Sequence, residues 1–171
     1  MTNEELQQKI ELLEQQIKDL KIKLEEKAEK KPYEVEVPED IGDYYYVDEL
    51  GRIYLVRGLI DFDEHEYELL YKRGLAFKTR EEAEQYDRER MLLFKLHKWA
   101  EEHNKGWKPN WNDFKEKQYY VVYDFEDKKI YIRYEHYSET FTKLPYFKSE
   151  EIALQFIDEF GEKIKEVLFG W

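Results

Sequence analysis

The sequence predicts an α+β protein: an N-terminal coiled-coil helix followed by two related ββα units with antiparallel strands. Three observations lead there. Leucine and isoleucine recur at heptad spacing near the start of the chain. A segment opening on Phe-Lys-Thr/Ser occurs twice. Ahead of each copy, a run of β-branched and aromatic residues doubles back through a polar turn.

The helix is assigned to residues 1–31 as an oligomerisation segment. Leu6, Leu13 and Leu20 fall seven apart, as do Ile10, Ile17 and Leu24, and the two series interleave at three- and four-residue steps. With these isoleucines at a and these leucines at d, the seam favours a parallel two-stranded coil. Lys9 at g and Glu14 at the following e can pair between chains. The seam ends where Lys27 and Lys31 take the next d and a positions, and Pro32 lacks the N–H that would continue the helix. Leu12 and Ile22 lie off the seam. Two packings therefore stand: a homo-oligomer through this helix, or the helix laid on its own domain. Residues 32–43, with Pro32, Pro38 and Gly42, read as a linker.

The first unit is expected at residues 44–105. Tyr44-Tyr45-Tyr46-Val47 turns through Asp48-Glu49-Leu50-Gly51 into Ile53-Tyr54-Leu55-Val56-Arg57, residue types that suit paired strands. Phe77-Lys78-Thr79-Arg80-Glu81-Glu82-Ala83 then opens a helix. The Thr79 hydroxyl can accept from a first-turn N–H, and Glu82 three residues on completes a capping box. That helix is expected from about Glu81 to His103, with Tyr86, Leu93, Phe94, His97 and Ala100 on one face. Residues 106–118 form a Trp-rich junction.

The second unit spans 119–171. Tyr119 to Tyr123 turns through Asp124 to Lys129 into Ile130-Tyr131-Ile132-Arg133. Phe147-Lys148-Ser149-Glu150-Glu151-Ile152-Ala153 repeats the helix entry with a simple cap. Apolar residues at 153, 156, 157, 160, 164, 167 and 168 make a helical stripe, with Gly161 as an expected bend or break. Each unit alone is too small to bury much, so the two should pack together.

Composition narrows the chemistry. Of 171 residues, 42% are hydrophobic and 17% aromatic, which supports a folded core; the net charge is −12. Residues 1–32 carry −1 of it and the rest −11. Such a body repels phosphates and anionic membranes and attracts basic protein surfaces, so nucleic acid is a weaker candidate partner than protein. Without cysteine there is no disulfide, thiol nucleophile or zinc–thiolate site. No stretch reaches the roughly 18 apolar residues of a membrane span. The start Met1-Thr2-Asn3-Glu4-Glu5 is unlike a secretory signal, so the cytoplasm is the expected location.

No catalytic, cofactor-binding or metal-ligating residue is assigned. Asp61-Phe62-Asp63-Glu64-His65-Glu66 fails as a calcium loop, because positions six and twelve are Glu66 and Lys72 rather than glycine and glutamate. It reads as an acidic loop or helix start. Four scattered histidines find no nucleophile motif, and no glycine-rich phosphate loop is present. The candidate partner-binding residues are Asp61, Asp63, Glu64 and Glu66, flanked by Phe62 and Tyr67, together with Trp107 and Trp111. Those two tryptophans could equally staple the two units together. Tyr44, Tyr46, Tyr54, Tyr119, Tyr123, Tyr131 and Tyr134 offer faces for stacking bases, near Arg52, Lys128, Lys129 and Arg133. A hairpin followed by Phe-x-Thr/Ser-x-Glu-Glu-x-Ala loosely resembles the small RNA–DNA hybrid-binding module ahead of some ribonucleases H; the −11 body argues against that use.

Nearly the whole chain resembles a group of small acidic proteins carried by phages and prophages of Gram-positive bacteria. The likeness runs through the N-terminal coiled coil, Gly42-Asp43-Tyr44-Tyr45-Tyr46, Phe77-Lys78-Thr79-Arg80-Glu81-Glu82-Ala83 and Tyr119-Tyr120-Val121-Val122-Tyr123-Asp124. It continues in Tyr146-Phe147-Lys148-Ser149-Glu150-Glu151, Gly161-Glu162-Lys163-Ile164 and Leu168-Phe169-Gly170. The resemblance implies a non-enzymatic accessory factor in the cytoplasm of an infected cell. Its expected action is to bind and inhibit a host defence or DNA-handling protein, in one form by mimicking nucleic-acid charge. The alternatives are a nucleic-acid-binding protein using its tyrosine-rich strands, and a structural or scaffolding virion component.

Overall fold

The computed structural model describes residues 2–28 and 33–170. They form a mixed α/β protein with four α-helices and two small antiparallel sheets. The chain divides into two compact units, Met1–Glu36 and Val37–Trp171.

The first unit is built on α1, Asn3–Ala28. Thr2 and Glu5 cap it reciprocally: the Glu5 N–H donates to Thr2 Oγ1 and the Thr2 N–H to a Glu5 carboxylate oxygen at 2.8 Å. Lys31 and Pro32, where the heptad seam was expected to end, lie outside the described residues.

The second unit starts earlier than expected. Val37 packs on a core that includes buried Ile41, which sits in a single 3-10 turn at Ile41–Asp43. The linker assigned to 32–43 is therefore shorter, because Val37 and Ile41 anchor the stretch from Val37 onward on that core. Strands β1, Tyr45–Val47, and β2, Ile53–Leu55, pair with Tyr46 opposite Tyr54. Their turn is organised by Asp48, whose Oδ1 accepts from the N–H groups of Leu50 and Arg52 and whose Oδ2 accepts from Arg52 Nε. Burial works to raise the Asp48 pKa, but the bonds from Arg52 and Leu50 outweigh it and hold the carboxyl below its ordinary value. Gly51 has a left-handed φ of 79°, and a Cβ there would lie 2.9 Å from Asp87 Oδ2, so no other residue fits without strain.

Helix α2, Glu64–Lys72, follows β2, and strand β3, Ala76–Phe77, then pairs with the far side of β1, Tyr45 opposite Phe77. The first half is thus ββαβα, with strand order β2-β1-β3. Its α2 was legible in the sequence only as an acidic loop or helix start. The capping box at Thr79 forms with Glu82, and α3 runs from Arg80 to Asn104.

Strands β4, Gln118–Asp124, and β5, Lys129–Glu135, pair over their whole length. Phe147 then bridges the other side of β4 opposite Tyr119, and Ser149 caps α4, Glu150–Phe169. The main core lies between this sheet and the helices: Leu92, Leu96, Ala100, Val121, Phe147, Ala153, Phe156, Phe160, Ile164 and Val167. Phe147 and Phe156 are fully buried, and each contributes about 2–3 kcal/mol of apolar transfer. Helix α3 packs against all three strands of the first sheet and against α4, so it joins the two halves.

Two helix expectations are corrected. On α3 the buried line is Ala83, Leu92, Leu96, Ala100 and Asn104, while Phe94 and His97 face outward. The expected face was rotated by about one residue, because Phe94 drew the stripe toward itself. Gly161 does not break α4, which runs through it from Glu150 to Phe169. It is buried mid-helix where α4 meets β5, and a Cβ there would lie 3.5 Å from Ile157 and 3.8 Å from Ile130. Those are ordinary contacts. Gly161→Ala is therefore expected to stabilise the protein by about 0.5–1 kcal/mol through helix propensity, read as a raised denaturation midpoint; a lowered midpoint would show that the helix–sheet spacing has no slack.

Candidate functional site

On α1 every residue of the seam is turned to solvent. Leu6, Ile10, Leu13, Ile17, Leu20 and Leu24 are 40–68% exposed, as are Leu12 and Ile22 within that range. An isolated helix of this length gains little from propensity alone and owes its stability to burying an apolar face.

The four acidic candidates separate into two kinds. Asp63 is the N-cap of α2: its carboxylate accepts from the Glu66 N–H at 2.9 Å, and a Glu66 carboxylate oxygen accepts from the Asp63 N–H at 2.7 Å. These two carboxylates hold the helix start. Asp61 and Glu64 are exposed and, among the described residues, in no ion pair. The flanking aromatics are half-buried against the core. Phe62 packs beside Tyr46, and Tyr67 lies on the same core with its hydroxyl donating to the Leu59 carbonyl. Carboxylates also mark this half electrostatically. The Tyr44 phenol is pushed above its usual pKa by burial and then by Asp40, Tyr71 and Glu82; that of Tyr46 by burial and then Glu49 and Asp48.

Trp107 and Trp111 are both half-buried. Trp107 donates through its indole to Glu116, inside the junction. Trp111 stands edge-on to Tyr146, whose ring meets Tyr120 on β4. Trp111 thus ties the junction toward the second sheet, while Trp107 braces the junction itself. Trp107 and Pro109 also line a surface hollow of about 310 Å³ with His97, Phe141 and Tyr146.

The residues that tie the second half together are others. Asn104, buried at the end of α3, donates from Nδ2 to the Tyr146 carbonyl at 2.8 Å and accepts at Oδ1 from the Lys148 N–H at 3.1 Å. It thus holds both backbone groups flanking Phe147. Trp99 stacks on His103 and meets Phe147, Phe156 and Phe160, its indole donating to Glu159. The expected helix ended at about His103, so Asn104 fell outside it and its role was not legible; Lys105 and Gly106 take left-handed conformations just after it.

Of the seven tyrosines considered for stacking bases, Tyr44 is buried, Tyr46, Tyr119 and Tyr123 pair with other rings, and Tyr131 donates to Asp127. Tyr54 and Tyr134 stay exposed, each under a cation, Arg52 and Lys117. Among the described residues no group of three or more histidines and carboxylates is placed to hold a metal ion, and no helix is long and apolar enough to cross a membrane.

Comparison with known protein families, with curated proteins and with solved structures finds no match for this chain.

Proposed function

We propose that this is a non-enzymatic, homo-oligomeric binding protein, in which α1 joins copies and the acidic second unit docks on a basic surface of a protein partner. Its setting is that of a phage or prophage accessory factor in the cytoplasm of an infected cell. The partner class is a host defence or DNA-handling protein, whose nucleic-acid site supplies the basic surface and against which the carboxylates stand in for phosphates. The observation that carries this reading is the pair Asp61 and Glu64, exposed and outside any described ion pair at the start of α2, on a unit with nine excess negative charges. Joining copies adds avidity to contacts that are individually weak.

The two halves are read as related units. Tyr45 pairs with Phe77 and Tyr119 with Phe147, each phenylalanine lying two residues before the cap of a long helix. Superposing residues 44–104 on 119–169 is the test, with α2 as an insertion in the first.

The functional test is capture of partners from host cells by the full chain and by a variant combining Asp61→Lys with Glu64→Gln, washed at two salt concentrations. Asp63 and Glu66 are left intact because they cap α2, and lysine is kept off position 64 because a cation opposes the helix dipole there. Exposed charges are screened over about 10 Å at 0.1 M salt. The captured partner is expected to be a basic protein, retained roughly tenfold less by the variant at low salt and by neither at high salt. Equal retention of both at both salts would exclude docking through this corner.

A further inference from the structure

We infer that β5 is a second contact between copies of this chain, pairing antiparallel with itself across a two-fold axis through Ile132. The sheet has one long open edge. β4 is flanked by β5 on one side and bridged by Phe147 on the other, whereas β5 has a neighbour on one side only. Among the described residues, none from 129 to 135 makes a backbone hydrogen bond outside its ladder with β4. Alternate N–H and C=O groups along seven residues therefore face outward, an arrangement that readily accepts another strand. The outer strands of the first sheet, of three and two residues, are too short to offer the same.

The occupant is argued from the strand's own sequence, Lys129-Ile130-Tyr131-Ile132-Arg133-Tyr134-Glu135. Antiparallel pairing about Ile132 sets Lys129 opposite Glu135 of the second copy, twice by symmetry. It also sets Ile130 opposite Tyr134, Tyr131 opposite Arg133, and Ile132 opposite itself. Opposite charges and aromatic–cation pairs placed directly across strands are stabilising. The neighbouring registers are not. Sliding by one step one way sets Lys129 opposite Arg133, and the other way sets Arg133 opposite itself. Like charges directly opposite are destabilising. Parity also agrees, since Ile130 and Ile132 face the main core and keep that face when paired with even-numbered residues. Among the described residues Lys129, Arg133 and Glu135 form no ion pair within the chain, so their charges remain for a partner. The product is a continuous sheet running β4-β5-β5-β4 through two copies.

The test uses the full chain, which has no cysteine of its own. In the proposed register Lys129 and Glu135 of two copies lie about 4.5–5.5 Å apart at Cα, within disulfide reach. Within one copy they are separated by six residues of strand, roughly 20 Å. The double variant K129C/E135C is expected to give, on oxidation, a covalent dimer whose peptide map shows 129–135 links; K129C and E135C alone are expected to give none. Peptide mapping scores the link whether or not α1 also joins copies. A second measurement avoids cysteine: backbone amides of β5 should show protection from hydrogen exchange that rises with protein concentration. K129E or E135K alone should lose that dependence and K129E/E135K together should regain it. Absence of the 129–135 link, equal cross-linking of the single variants, or protection that the charge swap does not restore would each overturn the proposal.

Discussion

Replacing Ile10 and Ile17 with aspartate is expected to abolish association through α1, leaving nothing larger than the β5-paired dimer, without changing the melting of the second unit. Both residues sit at a positions of the heptad seam and are exposed on α1. Their burial between two helices is worth about 1.5–3 kcal/mol per side chain. A carboxylate at a central a position must instead be desolvated opposite its own copy, which neither hydration nor a partner offsets. Four such groups in a two-stranded coil exceed what three heptads can supply, so the α1 contact is lost outright rather than in part. Light scattering on the wild type and the double variant, with thermal denaturation of each, is the measurement. A wild-type chain that is already monomeric at high concentration would remove the seam from the mechanism. A variant that keeps the wild-type assembly size would move the whole contact to β5, where the cross-link reports it independently.

Asn104→Ala is expected to cost about 2–4 kcal/mol of folding stability. The amide satisfies the Tyr146 carbonyl and the Lys148 N–H, which flank the fully buried Phe147. Its removal leaves one acceptor and one donor beside the core without partners, at roughly 1–3 kcal/mol each. Asn104→Asp separates the two bonds: it keeps an acceptor for Lys148 and turns a second oxygen toward the Tyr146 carbonyl, so a comparable loss is expected. Urea denaturation midpoints at constant slope measure both. By contrast Trp107→Ala, which deletes a half-buried ring of the junction, should cost less. A change below about 1 kcal/mol in Asn104→Ala would show that water replaces the amide without penalty.

The corrections share a physical origin. Phe94 drew the expected α3 face toward itself because periodicity counts hydrophobic residues without knowing where the neighbour lies; the partner, α4, is more than fifty residues further along the chain. Gly161 carried the local signal of a break, yet the helix continues because the apolar stripe on both sides of it, Phe156, Phe160, Ile164 and Val167, is buried in one core. Asp63 and Glu66 were legible as negative charge but not as a capping box, since α2 is a short helix with a weak apolar stripe. Phe62 and Tyr67 were legible as aromatics beside the acidic run, but that they also pack half-buried on the core of the first sheet was not.

What the sequence determined by itself is local. The heptad seam, both hairpins, the Thr79 and Ser149 caps and the extents of α3 and α4 all follow from side-chain chemistry within a few residues, where propensity, turn geometry and capping act. Tertiary structure decided what depends on distant partners: which face of α3 is buried, that Phe77 and Phe147 close the far sides of β1 and β4, that Asn104 clamps the backbone around Phe147, and that β5 is left with an open edge. These follow from the packing of elements far apart in the chain, because burial and hydrogen-bond satisfaction are set by whatever the completed fold brings alongside, and no local pattern records that.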